Sequence, residues 1–261
     1  MRMKTTGAQP AGAADEAQAA RAVQQMFDSI APRYDLLNHV LSAGVDHLWW
    51  WQTARKFRAI LANPEAAALD VCCGTGHMTR ALLKCRPPNA RPILAADFAH
   101  EMLIRGAPRF TPRKPGEPAA VALEADALHL PLRPASLDLV VTAFGFRNLA
   151  NYEAGLREFA RVLKPGAQLG ILDFAEPGGL IGKAYGVYFR RVLPAIGRLI
   201  SGPVARGSVG PYNYLPASVA RFPSPAEMLL LMRACGYTQC AWQPYTFSIA
   251  GLYTAVRSSQ T

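Results

Sequence analysis

Apolar and polar positions first alternate with helical spacing, then with a strand–helix rhythm, and the two regimes divide the chain. Residues 17–29 carry Val23, Met26, Phe27 and Ile30 on one helical face. Pro32 interrupts that pattern, and a second helical stretch is expected from about residue 34 to 60, broken near Gly44. Short apolar runs follow at 66–72, 92–96, 119–124, 137–143 and 168–174, separated by helical patterns at 78–85, 101–107 and 152–163. In the last of these Leu156, Phe159 and Leu163 share a face. Strand runs alternating with helices predict an α/β doubly wound, mostly parallel sheet. After Glu176 the pattern changes to a long helix at 180–200, a Gly/Pro-rich loop, a helix at 225–234 and two closing strand-like runs. Such a closing pair supplies an antiparallel edge to a parallel sheet, making seven strands in all.

Composition narrows the class. The chain has 261 residues, 51% of them hydrophobic and 18% charged, which fits a globular fold with a sizeable core. We expect a single domain over 21–257, with 21–62 as a helical cover over the substrate side and 178–222 as a substrate-side insertion. Residues 1–20, rich in Ala, Gly and Gln, are expected to be a frayed terminus. No apolar run approaches the roughly 20 residues needed to span a bilayer, and the start lacks the order of a secretory signal, so a cytoplasmic location is expected. A formal net charge of +10 fits a nucleic acid, an anionic lipid surface or an acidic small molecule as partner. Five cysteines without paired spacing imply neither a disulfide framework nor a metal site.

The sharpest motif ends the first strand: Leu69-Asp70-Val71-Cys72-Cys73-Gly74-Thr75-Gly76. A glycine-rich strand-to-helix turn lets a ligand approach the backbone at the carboxyl edge of the sheet. No Gly-Lys-Ser/Thr follows, so this is not a triphosphate loop, and the third glycine of a dinucleotide fingerprint is missing. Asp70 stands ready to receive an amino group. Asp97 ends the second strand, about twenty residues on, where a carboxylate accepts ribose hydroxyls. Asp126 is expected to end the third. Each acid alone is an ordinary cap or turn residue; together with Gly74, Thr75 and Gly76 they fit a ligand carrying an amine, a ribose and an adenine, namely S-adenosylmethionine.

Further segments carry a family resemblance. They are Met26-Phe27-Asp28-Ser29-Ile30-Ala31-Pro32-Arg33-Tyr34-Asp35, Phe144-Gly145-Phe146-Arg147-Asn148-Leu149, Arg161-Val162-Leu163-Lys164-Pro165-Gly166, Leu199-Ile200-Ser201-Gly202, and Tyr214-Leu215-Pro216. The chain resembles the ubiquinone/menaquinone biosynthesis C-methyltransferases from about residue 21 to 257. The resemblance implies the class I S-adenosylmethionine methyltransferase fold and methyl transfer to a ring carbon of a polyprenylated benzoquinol or naphthoquinol. It also implies cofactor contacts at Thr75, Asp97, Asp126 and Ala127, with Ala143 beside them. His77 departs from the family's usual aspartate, and 203–211 looks longer than usual.

Methylating an aromatic carbon requires a neighbouring phenolate to enrich it in electrons. Arg147, a permanent cation, is expected to stabilise that phenolate. Asn148 is expected to orient a hydroxyl or the cofactor carboxylate, and Tyr34 to close the site. The proton acceptor is open among His39, His47, Asp35, Asp46 and a water. No metal is required. The helix at 180–200, with Lys183, Arg190, Arg191 and Arg198, is read either as a cover for the sheet or as a tail groove touching anionic membrane. Homo-oligomerisation is left open. Two rival readings stand beside this one: methylation of another small aromatic, and a nucleic-acid methyltransferase. The second lacks an Asn/Asp-Pro-Pro-Tyr signature, a Pro-Cys motif and any dense basic–aromatic run.

Overall fold

The computed structural model describes residues 7–8, 15–41, 44–175 and 218–259. Seven strands form one sheet in the order β3-β2-β1-β4-β5-β7-β6: β1 (Ala68–Val71), β2 (Ile93–Asp97), β3 (Ala120–Glu124), β4 (Leu137–Ala143), β5 (Leu163–Phe174), β6 (Tyr237–Tyr245) and β7 (Ala250–Arg257). Neighbours among β1 to β5 pair in parallel, and β7 runs antiparallel to both β5 and β6. The helices are α1 (Glu16–Leu41), α2 (Asp46–Lys56), α3 (Arg58–Leu61), α4 (His77–Leu83), α5 (His100–Phe110), α6 (Tyr152–Val162) and α7 (Pro225–Ala234).

Strand periodicity divides the core between the two faces of the sheet. Leu69 and Val71 join the layer of Leu156, Phe159, Met228 and Met232, beneath α6 and α7. Ala68 faces the other way, with Trp49, Phe57, Met78 and Leu82 beneath α2 and α4. The two layers bury the central strands on both sides, which is why β1 and β4 read as nearly unbroken apolar runs. Gly170 lets Phe57 lie on β5: a Cβ there would fall 2.5 Å from the ring. α7 begins with a capping box, Ser224 accepting from the Glu227 amide while the Glu227 carboxylate accepts from the Ser224 amide.

The sequence expectations need three corrections here. α1 is one helix that continues through Pro32 to Leu41. It is anchored on α5 just before the proline, where Ala31 packs with Ala99 and Met102, the Gln24 amide donates to the Phe98 carbonyl at 2.6 Å, and the Glu101 amide donates to Asp28. These contacts offset a proline cost of about 3 kcal/mol. Order also starts earlier than expected for 1–20. α1 begins at Glu16, and buried Ala8 packs on Val23 and donates its amide to the Leu149 carbonyl at 2.7 Å. Finally, β3 stops at Glu124, so Asp126 lies in the turn beyond the strand.

The expected helix at 180–200 and most of the expected insertion, from 178 to 217, lie outside the described residues. So do the Leu199–Gly202 and Tyr214–Pro216 segments. Among the described residues, no helix is long and apolar enough to cross a membrane.

Candidate active site

β1 lies between β2 and β4, at the point where the strand order reverses direction, and the carboxyl ends of these strands open into a cleft. The backbone beyond β1 turns sharply: Cys72, Gly74 and Gly76 all have positive φ, at 55°, 54° and 83°. Gly76 is required there, since a Cβ would lie 2.4 Å from the Phe110 ring in addition to the backbone strain. Across the cleft, Phe144 also has positive φ, at 59°, immediately after β4. Non-glycine residues in this conformation cost roughly 1–3 kcal/mol each and collect at ligand sites.

Two connected cavities occupy the cleft. The larger is lined by Gly74, Asp97, Asp126, Ala127 and Asn148, with Phe27 of α1 beside them. The smaller is lined by Asp70, Thr75, Ala143, His77 and Trp50, and the two share Cys72 and Phe144. Seven of the eight residues expected to bind the cofactor therefore line these two adjoining cavities. The eighth, Gly76, lines neither cavity and shapes the turn.

The acids are held in distinct ways. Asp70 is fully buried; its Oδ2 accepts from the Thr79 hydroxyl at 2.5 Å, while its Oδ1 has no hydrogen-bond partner among the described residues. Burial pushes its carboxyl up to about 7, with Asp97 adding to the rise and the Thr79 hydroxyl opposing it. Asp97 accepts from the Gly74 amide at 2.7 Å and the Ala99 amide at 2.9 Å, so it clamps the glycine turn to the end of β2. Burial raises it to about 6 against those amides. Asp126 is exposed; it accepts from the Leu128 amide at 2.9 Å and contacts His129 at 3.1 Å.

A buried, half-satisfied carboxylate is costly unless a cation completes it. Asp70 therefore fits the amino group of S-adenosylmethionine, and Asp97, with lone pairs to spare, fits its ribose hydroxyls. The thiols of Cys72 and Cys73 are raised well above the usual range, chiefly by burial and also by Asp97 and Asp70. Both remain protonated and are poor nucleophiles.

Arg147 sits differently from the expectation that it meets a phenolate. It belongs to a 3-10 turn (Phe146–Asn148), is 2% exposed, and lines neither cavity. One of its terminal nitrogens pairs with the fully buried Asp173 of β5 at 2.8 Å and donates to the Phe144 carbonyl. Its guanidinium carbon lies 5.2 Å from the centre of the Phe174 ring. Asp173 also accepts from the Arg147 and Phe174 amides, at 3.1 and 2.9 Å. In this geometry the Arg147 guanidinium holds the carbonyl of the strained Phe144 backbone, and Asn148 follows it in the same turn. Asn148 does line the larger cavity, and its side-chain amide reaches the Phe144 carbonyl at 3.3 Å.

Tyr34 lies in the C-terminal part of α1; its side chain, like those of Asp35 and His39, is outside the described set. Of the remaining candidate proton acceptors, Asp46 is buried at the start of α2, and His47 is exposed and lines a separate groove. His77 stacks on Trp50, ring centres 4.6 Å apart and planes 13° from parallel, so the two form a wall of the smaller cavity.

Sequence reasoning missed four contributors. Thr79 and Asp173 carry no motif, and only the fold brings them to Asp70 and Arg147. Phe27 and Phe98 line the larger cavity although their spacing reads only as a helix face and a strand end.

Solved structures with this fold include a possible histamine N-methyltransferase from Thermotoga maritima (TM-score 0.60, 16% identity, 90% of this chain and 100% of that one). Another is a magnesium protoporphyrin IX methyltransferase from Synechocystis with bound S-adenosylmethionine (TM-score 0.59, 14% identity, 95% and 100%). At such identities they establish the fold, that of S-adenosylmethionine-dependent methyltransferases. The chain is 43% identical over 245 residues to a demethylmenaquinone methyltransferase of Deinococcus radiodurans, covering 92% of this chain and 94% of the relative. It is 42% identical to that of Thermus thermophilus, covering 89% and 100%. It is also 38% identical to a ubiquinone/menaquinone biosynthesis C-methyltransferase of Geobacter sulfurreducens, covering 89% and 87%. The sequence model of the ubiE/COQ5 methyltransferase family matches residues 14–257. Fold, cleft and end-to-end similarity agree, and the chain belongs to the ubiE/COQ5 methyltransferase family.

Proposed function

We propose that this chain methylates a ring carbon of a polyprenylated quinol, demethylmenaquinol first, using S-adenosylmethionine. The observation that carries the reading is the similarity to two demethylmenaquinone methyltransferases over nearly the whole of each chain, not merely over the cofactor half. The Geobacter relative's name makes the benzoquinol of the ubiquinone pathway the second substrate to try.

In this reading Asp70 Oδ1 accepts the cofactor's ammonium, Asp97 its ribose hydroxyls, and Asp126 with Ala127 faces the adenine. Thr75 and Ala143 flank the methionine portion. When bound, S-adenosylmethionine supplies an electrophilic methyl group on a sulfonium. The chain's task is to hold an electron-rich ring carbon in line with that methyl and to keep water out. Asn148 orients a ring hydroxyl, Arg147 and Asp173 hold Asn148 in place, and Tyr34 closes the cleft from α1. The isoprenoid tail keeps such a substrate in a bilayer, so the enzyme works as a cytoplasmic protein in weak contact with an anionic membrane surface.

Expression in a bacterial host lacking its own demethylmenaquinone methyltransferase tests the proposal. Extracted quinones should shift from the demethylated to the methylated form. A host that accumulates only demethylated quinones while the folded protein is present would contradict it.

A further inference from the structure

A second concavity lies outside the cofactor cleft, between α2 and α4, open and about 800 Å³ in volume. Arg55, Arg58, Arg80 and Lys84 line it, and no Asp or Glu does among the described residues. Arg86 also reaches it, but its guanidinium is spent on the carbonyls of Leu61, Asn63, Pro64 and Arg91. Four cations on one concave face without a facing acid make a site for anions.

The rim is amphipathic. Leu48, Trp51 and Arg55 follow one another at helical spacing along one face of α2. Leu48 is 47% exposed and Trp51 50%, and the Arg55 guanidinium sits 4.6 Å from the centre of the Trp51 ring. Tryptophan and arginine with an exposed leucine suit the level of lipid headgroups, where apolar side chains enter and cations meet phosphate. A nucleic acid fits less well: Arg55 already covers a face of Trp51 that a base would stack on, and Leu48 has no use for a phosphate backbone. The groove also backs onto the chemistry, because Trp50 and His77 line both it and the smaller cofactor cavity.

We propose that the groove between α2 and α4 is the surface by which this chain docks on an anionic phospholipid bilayer, its cations taking lipid phosphates and its Leu48–Trp51 edge entering the headgroup layer. The purpose of this docking rests on the tailed-quinol reading, but binding is measured without any quinol, so either can fail alone.

The test is flotation of the full chain with vesicles of phosphatidylcholine, alone or mixed with phosphatidylglycerol. Binding should require phosphatidylglycerol and fall steeply with salt. The double variant Arg55→Gln/Arg58→Gln should bind about tenfold more weakly, each cation near an anionic leaflet contributing on the order of 1 kcal/mol before screening. Trp51→Ser and Lys84→Gln should each weaken binding less, and they serve if the double variant fails to fold. Arg133→Gln/Arg233→Gln, which removes the same charge from exposed positions elsewhere on the fold, should change binding less than about twofold. With a short-tailed quinol in solution, the groove variants should turn over like the parent. Equal losses from both double variants, or no vesicle binding by the parent, would overturn the proposal. So would groove substitutions that abolish retention on a DNA duplex while leaving vesicle binding intact. Failure of every quinol to react would sink the functional reading and leave the vesicle result standing.

Discussion

Replacing Asp70 by asparagine should make cofactor binding indifferent to pH over a range where the parent is sensitive. Asp70 is fully buried with one oxygen unpartnered, and burial holds its carboxyl near 7 in the free protein. A cationic amino group binds the ionised form, so affinity declines as pH falls through that value. For a group titrating at about 7, the ionised fraction falls roughly eightfold between pH 7.5 and 6. The cofactor's own amine, titrating near 8, trims this to about sixfold. Asparagine removes the titration and with it a charge-assisted bond worth about 1.5–3 kcal/mol, so binding at pH 7.5 should weaken by at least tenfold. The same change relieves the free fold. A raised aspartate binds its proton in the folded state before the unfolded one, so stability rises as pH falls from about 7 towards 4 and is reduced above 7. Asp70→Asn should therefore melt higher than the parent at pH 8 without cofactor. Calorimetric titration and thermal melts at pH 6, 7.5 and 8 read all three effects. A parent affinity that is flat from pH 7.5 to 6, or an asparagine variant that binds as tightly as the parent, would refute the pairing of Asp70 with the amine.

Asp97→Ala should lower cofactor affinity at least tenfold, since two charge-assisted bonds of roughly 1.5–3 kcal/mol are lost, and titration calorimetry measures it. Arg147→Met strands Asp173 in the core, a loss of about 3–5 kcal/mol, and should lower the melting temperature by roughly 6–15 °C. An unchanged melting temperature with activity abolished would instead mean that Arg147 acts on the substrate. His77→Asp should leave cofactor affinity within about threefold, because positive φ at Gly74 and Gly76 shapes the turn; a loss beyond tenfold would give His77 a binding role of its own.

What could be read from sequence was local. β4 and α7 fall where periodicity places them, and the glycine turn after β1 announces itself by residues that tolerate positive φ. Pro32 misleads because local propensity gives way to packing on α5. Asp126 misleads less: the acid is in the right place, but the strand ends two residues sooner. Arg147 stood out by motif, yet its partner Asp173 lies 26 residues away with no signal of its own, so a cation expected to meet a phenolate is buried and paired with a carboxylate. The groove shows the same limit. The cations from α2 to α3 and at the end of α4 are visible in the sequence, but only the packing of these helices sets them around one concavity.

Where the methyl group goes decides whether this chain is a quinol C-methyltransferase. The chain, mixed with S-adenosylmethionine carrying a trideuterated methyl and with reduced demethylmenaquinone, should yield a quinone whose added label fragments with the ring as a carbon-bound methyl. The same label on a ring oxygen, or no labelled quinol from either the naphthoquinol or the benzoquinol while the cofactor binds normally, would contradict it.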